Sequence, residues 1–425
     1  MLLRFAVSNC RSIYEQQELS LVASKLKGPT DHLFDVPNLP DIKALPVAMI
    51  YGANASGKTS LVKAFSFMRS AILFSHSRRP PKGGVPRRPF ALAPDATERP
   101  TAVEADFLAN GIRYQYGFEA NDTTFLQEWL YSYPDGKRRK LFERAGDKVE
   151  FGPSFRGHKK IFVDLMRENS LFLSTATQNS HPELSSIYRY FGRMNYVGPS
   201  LPSITSINNA FKIEEPDQRS INFLNRLGTG ITGFRKSESE IPDFVRLITK
   251  EFAGIAKKHL PEQSGLSDDG DEQIEEKSIS IELSHKCTDG SVKYFNLDQE
   301  SSGTRRLIVM MNRIFNSLDN GTPILIDELD ASLHTHAALE IVKLFSNKNT
   351  NPHNSQLIAT THDTNLLGAP FLRRDQIWFV EKNEIGASIV FPLSDIRSRQ
   401  EDDFERGYLE GRYGATPPTL SSNNS

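Results

Sequence analysis

The octapeptide Gly52-Ala53-Asn54-Ala55-Ser56-Gly57-Lys58-Thr59 constrains this chain more than any other stretch, because its pattern, G-x-x-x-x-G-K-[ST], works between a β-strand and the start of a helix. Both flanks fit. Pro46-Val47-Ala48-Met49-Ile50-Tyr51 is a short apolar run, and from residue 57 to about 74 Leu61, Ala64, Phe65, Met68 and Ile72 recur at helical spacing. In that setting the glycines let backbone N–H groups turn toward a phosphate chain, and the helix N-terminus adds the positive end of its dipole. Lys58 can then reach the β- and γ-phosphates, while Thr59 offers a hydroxyl to a divalent cation. Gly52, Asn54, Ser56, Gly57, Lys58, Thr59 and Ser60 are the expected nucleotide-binding residues, with ATP and Mg²⁺ as ligands.

A second source of carboxylate is needed to complete such a metal site. Pro323-Ile324-Leu325-Ile326-Asp327-Glu328 supplies it as a buried apolar strand ending in two acids. Asp327 is expected to hold Mg²⁺ directly or through water, and Glu328 to act as the base or positioner for an attacking water. Alone, such a run is a strand reaching solvent; beside the phosphate loop it reads as a hydrolytic site.

The chain between and around these motifs predicts an α/β fold. A hairpin is expected over residues 2–23, strands and turns over 101–151 suggest an antiparallel meander, and alternating strands and helices from about 322 to 381 suggest a parallel sheet covered by helices. Four segments follow: residues 1–182 as the N-terminal part of the nucleotide domain; 183–276 as a mainly helical insertion ending in the acidic linker 264–276, expected to be disordered; 277–400 as the C-terminal part of that domain; and 401–425 as a tail. Two solitary cysteines, Cys10 and Cys287, read as reduced thiols in a cytoplasmic protein, and no stretch of 18 uncharged apolar residues offers a membrane span.

Other segments take their meaning from a resemblance to ABC-type ATPases. Glu300-Ser301-Ser302-Gly303-Thr304 resembles their signature motif, Leu329-Asp330-Ala331-Ser332-Leu333-His334 their D-loop, and His362 after the strand ending at Thr361 their switch histidine. The resemblance implies that Ser302 and Gly303 face the γ-phosphate held by an opposite protomer, and that Asp330 belongs to the same shared site. Taken alone, the first segment is an ordinary helix N-cap and an isolated histidine a polar strand end. Gln178, after the strand-like run of residues 170–174, is the candidate for an activating, metal-contacting glutamine; a surface glutamine is the plain alternative. Asn9-Cys10-Arg11-Ser12-Ile13 resembles an N-[FC]-R-S segment of SMC and OLD-type ATPases, which places Arg11 near the nucleotide; a plain turn is the alternative.

The run of residues 169–174, the stretch 374–382 and the ending Gly407-Tyr408-Leu409-Glu410-Gly411-Arg412-Tyr413-Gly414 narrow the resemblance to bacterial AAA-family ATPases of the RloA and AbiLi abortive-infection type. It covers nearly the whole chain and implies phage defence, a homodimer or higher homo-oligomer, and a separately encoded effector, RloB-like or Toprim-containing. OLD-type relatives carry a Toprim nuclease after the ATPase, and the roughly forty residues after the last expected strand leave no room for one. A DNA repair or recombination ATPase head of the SMC class is the alternative reading. With a formal net charge of −1, nucleic acid as a partner rests on two local basic runs, residues 78–88 and 137–140, which a solvated loop also explains.

Overall fold

The computed structural model describes residues 1–157, 159–200, 202–213, 215–240, 277–331, 333–397 and 402–415, with isolated positions 244, 247, 248 and 251. The expected acidic linker 264–276 and Ser332 of the D-loop-like segment lie outside the described residues. The chain divides into one compact unit formed by residues 1–199 and 316–425 and a second formed by residues 200–315.

In the first unit the chain forms β1 (Leu2–Ser8), β2 (Gln17–Ser20), β3 (Phe34–Asp35), β4 (Lys43–Ala44), β5 (Val47–Tyr51) and helix α1 (Lys58–Phe74). The meander β6 (Thr101–Ala109), β7 (Ile112–Ala120), β8 (Phe125–Tyr133), β9 (Arg139–Ala145) and β10 (Lys148–Phe151) follows. Helices α2 (Lys159–Leu165), α3 (Phe172–Gln178) and α4 (Pro182–Arg193) lead to β11 (Asn195–Val197). Two sheets result. The meander and the β1–β2 hairpin join into a seven-stranded antiparallel sheet, ordered β10-β9-β8-β7-β6-β1-β2. Alternation fixes which side of it is buried: Tyr114, Tyr116 and Phe118 of β7 are buried while Gln115 and Glu119 are only partly so.

The second unit holds α5 (Ile204–Ile213), α6 (Gln218–Arg226), β12 (Ile231–Glu240), β13 (Lys277–Lys286), β14 (Val292–Asn296) and the start of α7 (Ser302–Asn320). This departs from the expectation in two ways. Residues 183–199 pack with the first unit, and the second unit is built on an antiparallel sheet ordered β12-β13-β14 as well as on helices. β12 has the sequence ITGFRKSESE with one buried residue, so no apolar alternation announces it; its pairing with β13, register Phe234 to Leu283, makes it a strand.

Past α7 the chain returns to the first unit with β15 (Ile324–Ile326), α8 (Thr335–Phe345), β16 (Leu357–Thr360), β17 (Ile377–Lys382), β18 (Ser388–Pro392) and α9 (Phe404–Leu409). These strands enclose β5 in a six-stranded sheet, β11-β15-β16-β5-β17-β18, parallel except for the final pair. Strand β16 lies between β5, which leads into the glycine loop, and β15, which leads into Asp327-Glu328, so both motifs emerge at the carboxyl end of one sheet. The apolar face of α1, including Leu61, Phe65 and Met68, shares one core with Phe5 and Phe107 of the antiparallel sheet and Ile50, Leu325 and Ile358 of the parallel one. Among the described residues no helix is long and apolar enough to cross a membrane.

One buried ion pair ties the meander to α3. Glu128 and Arg144 are both fully buried and 3.6 Å apart. The Glu128 carboxylate also accepts from the Tyr116 hydroxyl (2.9 Å) and from the first-turn N–H groups of Phe172 (2.6 Å) and Leu173 (3.0 Å). Burial holds its pKa above the ordinary range, so Arg144 is what makes the charged form tolerable. Arg144→Met is expected to cost about 3–5 kcal/mol, because it strands a buried carboxylate. Denaturant unfolding checks this, and a loss below about 1 kcal/mol would remove the pair from its assigned role.

Candidate active site

The site is built on a loop whose backbone leaves no room for side chains at its two glycines. A Cβ on Gly57 (φ +112°) would meet Ser388 Oγ at 2.0 Å and Ser12 Oγ at 2.5 Å; one on Gly52 would meet the Val380 carbonyl at 2.3 Å. Ser388 and Ser12 are the loop's outer supports. The Ser388 hydroxyl donates to the Ser56 carbonyl (2.5 Å) and lies 2.8 Å from Ser12 Oγ, which in turn donates to Ser60 Oγ (2.7 Å). Sequence reasoning missed both serines as functional supports. Ser12 stood inside the segment quoted for Arg11, whereas Ser388 lies on a final strand with no motif and is brought in only by β17–β18 pairing.

Lys58, the first residue of α1, is buried and donates from Nζ to the carbonyls of Gly52 (2.7 Å) and Ala53 (3.0 Å). Burial lowers its pKa, opposed by the charges of Asp330, Glu328 and Asp327, which places all three carboxylates within electrostatic reach of the ammonium. Thr59 turns its hydroxyl toward Asp327, donating to Oδ1 at 3.1 Å.

Asp327 is fully buried at the end of β15, and the Thr360 hydroxyl at the end of β16 donates to the same Oδ1 at 2.8 Å. That hydroxyl also accepts the Glu328 N–H at 2.7 Å. Thr360 thereby holds both acids, and it holds Glu328 in the left-handed region at φ +59°, where a glutamate rarely stands. A glutamate held at positive φ stores strain that the Thr360 contacts must offset. Thr360 was missed as well, although it closes the strand that led to His362.

Asp330 accepts the backbone N–H of His362 through both carboxylate oxygens (3.2 and 3.1 Å), joining the D-loop-like turn to the end of β16. Burial and the Lys58 charge lower the His362 pKa, while Asp330 and Glu328 oppose them. Lys58, Thr59, Asp327, Glu328, Asp330 and His362 thus form one cluster at the carboxyl end of the parallel sheet.

Arg11 lies beside it. Its backbone sits at φ +55° with its N–H on the Arg88 carbonyl (2.6 Å), in a turn that Asn9 fastens through its side-chain amide to the carbonyls of Ala96 (2.7 Å) and Arg99 (2.8 Å). Tyr196 feels both charges: burial raises its phenol's pKa, Asp327 adds to this, and Arg11 opposes it. Gln178 is not brought to the cluster. Residues 172–178 form a helix that takes in part of the strand-like run 170–174, because the Glu128 carboxylate caps its first turn. The Gln178 amide donates to the Tyr188 hydroxyl (2.9 Å), which donates to Leu73 O (3.1 Å), at the end of α1 remote from Thr59 by about 20 Å of helix.

Ser302 and Gly303 begin α7 in the second unit, with Ser302 exposed. In the basic runs, Arg87 is buried and spent on Asp122 (2.7 Å) and on the carbonyls of Arg99 and Thr97. Arg139 and Lys140 pair with Asp135, Glu143 and Glu150. Among the described residues no cluster of His, Cys, Asp and Glu makes a metal site by itself, so a cation here depends on hydroxyl and phosphate oxygens too.

The residues fit Mg²⁺·ATP. Two glycines keep the loop backbone open to close approach, a buried ammonium stands at the loop, and a hydroxyl–carboxylate pair beside it offers the oxygen ligands a hard cation takes. Thr59 and Asp327 would hold Mg²⁺, which when bound neutralises charge on the β- and γ-phosphates.

No curated protein matches the chain. Among solved structures, the Smc head domain with an extended coiled coil bound to the C-terminal domain of ScpA, from Pyrococcus furiosus, matches at 13% identity and a TM-score of 0.33, over 92% of this chain and 96% of that one. A family model described as "AAA domain, putative AbiEii toxin, Type IV TA system" matches residues 47–368, which include the glycine loop, the Asp327-Glu328 pair and His362. The chain belongs to this AAA-domain family, and it is a P-loop ATPase.

Proposed function

We propose that this chain is the Mg²⁺-dependent ATP-hydrolysing subunit of a bacterial anti-phage system of the RloA and AbiLi abortive-infection type. It works as a head-to-tail homodimer that controls a separately encoded effector. The observation that carries the reading is the Thr360 clamp on Asp327 and Glu328 opposite Lys58 and Thr59, since it provides for metal binding and for water activation at the same loop. Glu328 positions the attacking water and takes its proton. His362, whose pKa burial and the Lys58 charge lower, donates a ring N–H toward the γ-phosphate, and its backbone bond to Asp330 passes that contact to the D-loop-like turn.

Dimerisation follows from the signature-like Ser302-Gly303. If each ATP is completed by those residues of an opposite protomer, Lys58→Ala and Ser302→Arg chains are each inactive alone, and a heterodimer carries one intact site. An equimolar mixture is expected to recover about a quarter of wild-type turnover. A mixture as inactive as its parents, with heterodimer shown to form, contradicts the shared site.

The effector reading is supported by the family description, which concerns toxin–antitoxin proteins. Hydrolysis must be read by something bound to the dimer, and a two-state element biased by the γ-phosphate is the physical means. In bacteria challenged by phage, protection is expected only when this chain and its neighbouring gene product are expressed together. Full protection by this chain alone in a host lacking the neighbour contradicts a separate effector.

A further inference from the structure

The segment Phe404–Leu409 with residues 410–415 does not enter the ATPase chemistry described above, yet it packs against two of the elements that carry it. The Tyr408 ring stacks on Phe379 of β17 (5.5 Å between centroids, 10° between planes) and meets Tyr51 edge-on at 6.0 Å. Tyr51 is the last residue of β5 and is followed directly by Gly52. Tyr413 stacks on Phe379 as well, at 6.1 Å and 23°.

The turn that carries Tyr413 is tightly determined. A Cβ on Gly407 would lie 2.5 Å from Tyr413 Oη, and one on Gly414 (φ +68°) would lie 2.5 Å from Glu381 Oε2. The same Glu381 oxygen accepts the Ala415 N–H at 3.0 Å, and the Tyr408 hydroxyl donates to the Ala415 carbonyl at 3.1 Å. These contacts give a physical reason for glycine, tyrosine, glycine, tyrosine and glycine at positions 407, 408, 411, 413 and 414: aromatic rings cover the strand ends, and the glycines allow the chain to fold back over them.

The other contact reaches the catalytic loop. The Thr364 hydroxyl, two residues after His362, donates to Glu405 Oε1 at 2.9 Å, and Glu405 is half-buried in the first turn of α9. Thr364 opens the short 3₁₀ turn Thr364–Gly368, whose N-cap Asp363 accepts from the Asn365 N–H. His362 therefore sits in a segment fastened at both sides, by its own N–H to Asp330 and by Thr364 to the C-terminal helix.

We propose that the C-terminal segment is a clamp that positions the His362 loop for turnover, with Thr364 and Glu405 as positioning residues and the Tyr408–Phe379–Tyr51 stack as its anchor next to the phosphate loop. This rests on the ATPase reading of His362. Because Thr364 and Glu405 meet at the switch loop and not at the phosphate-binding backbone, loss of their contact lowers kcat and leaves nucleotide affinity in place.

The test uses the full chain carrying Thr364→Val, Thr364→Ser or Glu405→Ala. Steady-state ATP hydrolysis, equilibrium nucleotide binding and amide hydrogen exchange over residues 361–369 are measured on each. Thr364→Val and Glu405→Ala are expected to lower kcat at least about tenfold with nucleotide affinity within about threefold of wild type, and to speed exchange in that peptide at least about tenfold; Thr364→Ser, which keeps the hydroxyl, restores both. Unchanged exchange in folded Thr364→Val and Glu405→Ala overturns the clamp whatever the hydrolysis rates. Faster exchange with unchanged kcat overturns its role in turnover. Absence of hydrolysis in the wild-type chain counts against the ATPase reading, while the exchange result still decides whether the clamp holds the loop. A variant that fails to fold while Thr364→Ser behaves as wild type shows a structural contact only and overturns the positioning role.

Discussion

Lys58→Ala is expected to weaken ATP binding at least about thirtyfold. Lys58 is the buried cation of the loop, and its two bonds are to the carbonyls of Gly52 and Ala53. On the proposed reading this removes the charge that would face the β- and γ-phosphates, and truncating one partner of such a buried, charge-assisted contact costs about 2–5 kcal/mol, roughly thirtyfold to several thousandfold in affinity. The fold should survive, since the apolar face of α1 from Leu61 onward is untouched. Equilibrium binding of a labelled ATP analogue, with a thermal midpoint as control, checks this. Affinity within about threefold of wild type in a folded variant would remove Lys58 from the site.

The parts of this molecule legible in its sequence are those whose physics is local. A glycine loop between an apolar run and an amphipathic stretch, and an apolar run ending in Asp327-Glu328, were readable because each motif carries its own structural context within a dozen residues. The meander from Thr101 to Phe151 was readable because turns at Asn110-Gly111 and Asp135-Gly136 punctuate alternating strands.

What escaped the sequence depends on partners far along the chain. Residues 170–174 look extended in the sequence, yet from Phe172 the chain is helical because Glu128, more than forty positions earlier, supplies the cap. β11, three residues long, is a strand only because Ile324–Ile326 lies beside it. Ser12 and Ser388 meet over the phosphate loop across 376 positions, and neither carries a local signal for that role. Thr360 is the clearest case. Its hydroxyl joins Asp327 to the Glu328 backbone, yet in the sequence it is one threonine at a strand end.

Glu328→Gln is expected to separate binding from chemistry. The substituted glutamine would keep the size and the backbone bond to Thr360, so the turn at φ +59° and the Asp327 position should persist, while its amide can neither take a proton from water nor carry the charge that orients it. Loss of a general base costs about 10²–10⁴-fold in rate. Lys58 and Thr59 are unaltered, so ATP is still bound.

The central claim is that this cluster hydrolyses ATP. It is tested most directly by measuring phosphate release and nucleotide affinity side by side, with and without Mg²⁺, for wild type and Glu328→Gln. Wild type is expected to release phosphate in a Mg²⁺-dependent way, and the glutamine variant to bind ATP within a few-fold of wild type but turn over at least about a hundredfold more slowly. Glutamine-variant turnover equal to wild type, or no phosphate release by wild type that binds Mg²⁺·ATP, would contradict it.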